Sequence, residues 1–136
     1  MGDQPTIDLR NVPFDQRARD DLSRIVTDDS GLVDFYAAEV DATHMQCVGL
    51  FLNDERFGTM ICSWVTENDR LVFVCNALAA DHVDHIETIG AVFDLCSAWA
   101  KDRGAVLLRF FTQRPGLVRA SESLGFKQSY MMERAI

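Results

Sequence analysis

The hydrophobic positions between Asp69 and Gly104 change period twice, and the rest of the chain is arranged around those changes. Arg70-Leu-Val-Phe-Val-Cys75 is a near-continuous apolar run of mostly β-branched and aromatic residues, which predicts a strand buried on both faces. A short link from Asn76 to Ala80 follows. Ile86, Ile89, Val92, Phe93, Cys96, Trp99 and Ala100 then recur at three- and four-residue steps, the spacing of one buried helix face. Asp81 suits the N-cap of that helix, with Asp84 after it, and Lys101, Arg103 and Gly104 give a cationic, glycine-terminated end. Ala105 to Phe111 is a second apolar run. Strand, helix and strand at this spacing make a parallel crossover, and such units take ligands at the carboxyl ends of their strands.

The flanking segments follow the same logic. Thr6 to Arg10 alternates as a short first strand, ended by Pro13. Phe14 to Val26 predicts a helix buried along Phe14, Ala18, Leu22, Ile25 and Val26, and Leu32 to Val40 a second one after the break at Asp28 to Gly31. Met45 to Leu52 and Phe57 to Val65 read as strands around a tight loop, Asn53 to Arg56, and Glu67 to Asp69 turns the chain into the central strand. Past Phe111, Pro115 suits a first helical position and Gly125 the end of that helix. Phe126 to Ile136 alternates loosely and predicts a closing strand. No repeat, linker or low-complexity segment divides the chain.

Composition narrows the function classes. With 136 residues and 48% hydrophobic content, one domain with a full core is expected. A net charge of −8 argues against a nucleic-acid surface, which needs a basic patch. No apolar run is long enough to span a membrane. Met1 to Pro5 lacks the basic-then-apolar pattern of a secretion signal, so a cytoplasmic location is expected. Cys47, Cys62, Cys75 and Cys96 sit inside apolar runs without a C-x-x-C pair, and read as small core residues, not as nucleophiles or zinc ligands.

Individual candidates are few. His82 and His85, with His44 as a third, invite a metal reading, but no third ligand is fixed by spacing; the expectation is a solvated helix start and no metal. Glu39 and Glu67 near strand ends are candidate bases. Trp64 and Trp99 read as core anchors.

The order of elements, the hairpin with Gly58 early in its second strand, and Ala120-Ser-Glu-Ser-Leu-Gly-Phe126 before the last strand resemble the Gcn5-related N-acetyltransferase (GNAT) family. The resemblance implies a single α/β (α+β) domain over residues 1–136 with the acyl-CoA N-acyltransferase-like fold. That fold has a central mixed sheet of about six strands, helices on both faces and the order β-α-α-β-β-β-α-β-α-β. It implies acetyl-CoA as cofactor, with the backbone of Cys75, Asn76, Ala77 and Leu78 holding the thioester carbonyl. The family's tyrosine acid on the closing helix falls at Ser121, so Tyr130 or Tyr36 is the candidate proton donor. The family's pyrophosphate turn is a glycine-rich Gln/Arg-x-x-Gly-x-Gly/Ala segment. Here Ala79 to Glu87 has no glycine, arginine or lysine, and carries Asp81, Asp84 and Glu87 instead. Acids at a helix start stabilise it by a few tenths to about 1 kcal/mol each, but they repel a phosphate.

Two functions follow from these expectations. One is a divergent N-acetyltransferase acting on a small-molecule amine or a protein. The other is a non-catalytic pseudoenzyme that keeps the fold for interaction, similar to acetyltransferase-like accessory or virion-associated proteins of tailed bacteriophages. The acceptor and any homo-oligomeric assembly leave no mark in the sequence.

Overall fold

The computed structural model describes residues 6–25, 31–81, 86–112, 115–129, 132 and 134–136. Among them the chain runs β1 (Ile7–Asn11), α1 (Gln16–Ser23), α2 (Leu32–Asp41), β2 (Gln46–Leu52), β3 (Glu55–Glu67), β4 (Arg70–Ala80), α3 (Ile86–Asp102), β5 (Ala105–Phe110) and α4 (Pro115–Ser123). The sheet has the order β1-β2-β3-β4-β5; β1 to β4 are antiparallel neighbours, and β5 joins β4 in parallel through the α3 crossover.

Turn chemistry explains the meander. Asn53 and Asp54 both take positive φ, 50° and 68°, between the paired Leu52 and Glu55. Asn68 and Asp69 repeat this at 50° and 62° between Glu67 and Arg70. Asn-Asp is tolerated there because short polar side chains support the left-handed region, and the mirror-image turn matches strand twist. The hairpin loop is thus shorter than Asn53 to Arg56, and β3 begins at Glu55.

Two layers of apolar side chains sandwich the sheet. Val48, Leu50, Met60, Cys62, Phe73 and Cys75 pack with Val92, Cys96 and Ala100 of α3. On the other face Cys47, Ile61, Ala77 and Ala79 pack with Ala18 and Leu22 of α1 and Tyr36 of α2. Trp64, Phe73 and Trp99 meet edge to face at 4.8–6.0 Å, and the Arg103 guanidinium lies 4.4 Å from the Trp99 ring.

Two expectations are corrected. Asn76 to Ala80 is not a link: it continues β4, because β3 is long enough to pair it as far as Gly58↔Ala80. Nor is Phe126 to Ile136 a strand among its described residues, so five strands are seen where six were expected. Gly125 takes φ +92°, and the Phe126 N–H donates back to the Ser121 carbonyl at 3.1 Å. That bond closes the end of α4, so the N–H that would begin a strand is already spent. Tyr130, Met131 and Glu133 lie outside the described residues.

Candidate functional site

The sheet opens where a ligand is expected. β4 and β5 pair from Leu71↔Ala105 to Cys75↔Phe110 and no further, while β4 runs on to Ala80 beside β3. From Asn76 onward the β5-facing edge of β4 has no strand partner among the described residues. A bulge sits at the parting point: Cys62 pairs with Cys75 and Ile61 with Ala77, which leaves Asn76 unmatched. The extra residue flips the alternation. Phe73 and Cys75 face α3, whereas Ala77 and Ala79 face α1 and α2.

Around the bulge, side chains meet the backbone. Tyr36, 8% exposed, donates its hydroxyl to the Asn76 carbonyl at 3.3 Å. Burial raises the Tyr36 pKa, so the phenol remains a donor at neutral pH. The Asn76 amide donates to Ser63 Oγ at 2.8 Å.

The β5 side of the opening is aromatic. Phe93 of α3, Phe110 of β5 and Phe126 pack with ring centroids 4.9–5.2 Å apart. Phe126 is bonded to the Ser121 carbonyl, so this cluster fastens the end of α4 to the end of β5. Ser121 is 3% exposed, and its hydroxyl has no hydrogen-bond partner among the described residues. A buried hydroxyl without a partner costs about 1–3 kcal/mol. Ser121→Ala is therefore expected to raise the melting temperature of the free protein by about 3–10 °C. An unchanged or lower melt by calorimetry would mean that the hydroxyl is bonded in solution.

Solved structures of this shape decide the fold. A transcriptional regulator from Bacillus halodurans superposes with a TM-score of 0.70 at 16% identity, over 96% of this chain and 99% of that one. A ribosomal-protein-alanine N-acetyltransferase from Brucella melitensis gives 0.69 at 16% identity, over 98% of each chain. An aminoglycoside N-acetyltransferase in complex with CoA gives 0.71 at 11% identity, over 100% of this chain and 97% of that one. This chain has the GNAT fold. No protein-family model matches the sequence, and no curated protein is similar to it. The activities ascribed to these GNAT-fold neighbours differ, and at such identities the likeness speaks for architecture alone.

Set on the GNAT fold, the expected site residues divide into three groups. Cys75, Asn76, Ala77 and Leu78 all lie on β4 where it parts from β5. Glu39 and Glu67 are engaged elsewhere. Glu39 meets His44 Nδ1 at 3.2 Å, and Glu67 takes a two-pronged bond from Arg109 at 2.6 and 2.9 Å, at the opposite end of β4. The Arg109 guanidinium holds the Glu67 carboxyl below its ordinary range, which makes it a poor base. Tyr130, His82, Asp84 and His85 lie outside the described residues.

Asp81 has company that the sequence did not announce. Arg24 donates to it at 2.9 Å, and Arg17 lies 4.0 Å away. The same two arginines grip Asp21, 3% exposed, which also accepts from Thr59 Oγ1 at 2.8 Å. Arg56 completes the cluster, donating to Thr59 at 2.9 Å and to Asp15 at 2.8 Å. The first acid of the expected phosphate turn is thus charge-paired, from residues on or just after α1. Sequence reading missed Asp21, although Arg17 and Arg24 stand four residues before it and three after, a spacing that puts all three on one helix face.

All four cysteines are buried and unpaired. Burial pushes Cys62 and Cys96 up to about 12 and Cys47 to about 11, and raises Cys75 as well. None offers a thiolate near neutral pH.

Proposed function

We propose that this protein transfers an acetyl group from acetyl-CoA to an amine, with the gap between β4 and β5 as the cofactor cleft. The observation that carries this reading is the parting of β4 from β5 at Cys75 and Phe110, with a bulge at Asn76 on the open edge. An unpaired strand edge suits an extended, amide-bearing chain, which adds to it much as another strand would. Acetyl-CoA, when bound, supplies the acetyl group as an activated thioester. The chain's own part is to hold and exclude. Backbone N–H groups of Asn76 to Leu78 are suited to the thioester carbonyl oxygen. The Phe93, Phe110 and Phe126 rings keep water from the opening, and the unpartnered Ser121 hydroxyl is a donor within the same packed region.

Direct attack by the amine fits better than a covalent relay, since the buried cysteines stay protonated. A positioned, deprotonated amine needs little more than proximity. The net charge of −8 favours a cationic acceptor over a nucleic acid.

One observation favours a second reading. The segment from Ala79 to Glu87 has no glycine, arginine or lysine with which to cradle a pyrophosphate. On that ground the fold serves interaction and the cofactor is lost. Isothermal titration with acetyl-CoA at low salt separates the two. Micromolar binding is the expected result; silence at millimolar ligand would leave only the interaction reading.

A further inference from the structure

The bulge at Asn76 is held by side chains from both faces of the sheet, with Tyr36 on the α2 side and Cys75 on the α3 side. The Tyr36 hydroxyl donates to the Asn76 carbonyl at 3.3 Å. The Asn76 amide donates to Ser63 Oγ at 2.8 Å and to the Val74 carbonyl at 3.5 Å, and the Cys75 thiol to the Ala77 carbonyl at 3.8 Å. Three carbonyls of the bulge region, those of Val74, Asn76 and Ala77, therefore each accept from a side chain. Two consequences follow. A peptide unit is planar, and no cis bond occurs here, so fixing a carbonyl also fixes the direction of the N–H that follows it. In addition, a carbonyl that already accepts a hydrogen bond repels another carbonyl oxygen less than a bare one does.

We propose that Tyr36, acting through the Asn76 peptide, is a positioning residue that makes the cleft prefer an acylated thiol cofactor to the free thiol, with Ser63 bracing Asn76 from β3. The inference rests on the acyltransferase reading and deepens it. A bulge aimed in this way interacts with the acyl carbonyl alone. The pantetheine and nucleotide portions, which acetyl-CoA and CoA share, are indifferent to it.

The test is a pair of titrations, acetyl-CoA and CoA, on the wild type, Tyr36→Phe and Ser63→Ala. The wild type is expected to bind acetyl-CoA more tightly than CoA. Tyr36→Phe is expected to weaken acetyl-CoA by about three- to tenfold, the worth of one neutral hydrogen bond, and to leave CoA within about twofold. Ser63→Ala leaves the α2 packing untouched and is expected to lose the same preference, which covers the case of a misfolded Tyr36→Phe. Equal losses on both ligands would mark Tyr36 as merely structural and overturn the proposal. Unchanged affinities in both variants would overturn it too. A wild type that binds neither ligand would instead refute the acyltransferase reading, and the inference would fall with it.

Discussion

Gly58→Val is expected to destabilise the fold by more than about 3 kcal/mol, and Gly58→Ala by about 2–3 kcal/mol. A Cβ at Gly58 would stand 2.5 Å from the Ala80 Cβ, 2.7 Å from the Ala79 carbonyl oxygen and 2.8 Å from the Ala80 Cα. Two of those three atoms are backbone, so no side-chain rotation relieves the clash; β3 and β4 would have to separate. Their contact is what carries β4 past the end of β5. The same variants are expected to lose acetyl-CoA binding in proportion to their loss of stability. Unfolding free energies from urea titration within about 0.5 kcal/mol of the wild type would show that the strands relax apart at little cost.

Asp21→Ala is expected to cost about 2–3 kcal/mol. The carboxylate is buried, and its removal strands three donors at once: Thr59 Oγ1, Arg17 Nε and Arg24 Nη2. Full loss of a buried pair would exceed this figure, but Arg17 and Arg24 keep 40% and 50% of their side-chain surface in water and are partly rescued by it. Asp21→Asn retains the shape and one acceptor, and is expected to recover part of the loss. A second consequence is electrostatic. With Asp21 gone, both arginines turn their charge to Asp81, at the start of the expected phosphate turn. Denaturant unfolding checks the first effect. A loss below about 0.5 kcal/mol would mean that water replaces the carboxylate at Thr59.

Much of the fold was legible because its signals are local. The 3.6-residue spacing through Ile89, Val92, Phe93 and Cys96 is written within one element, and α3 follows it. Asn53-Asp54 and Asn68-Asp69 carry their turn geometry in their own side chains. The buried, inert cysteines were readable from the apolar runs around them. The expected last strand is not seen among the described residues of 126–136, where Phe126 does two things that alternation does not encode. It closes α4 with its backbone and joins Phe93 and Phe110 with its ring.

The candidate site divides along the same line. The sequence by itself set a strand through Cys75 followed by a crossover helix, and only the family resemblance put Cys75 to Leu78 at a thioester. The sequence did not determine that Asn76 is the unmatched residue, because a bulge is a relation between two strands and Ile61 and Cys62 lie on the other one. Nor did it set Tyr36 against Asn76, 40 residues along the chain, or Arg24 against Asp81, 57 along. Sequence fixes what neighbours in the chain can settle between themselves: period, caps, turns and the burial of apolar runs. Where a strand parts from its neighbour, and which charges end up paired, depends on residues far apart in the chain. Tertiary packing alone brings those together.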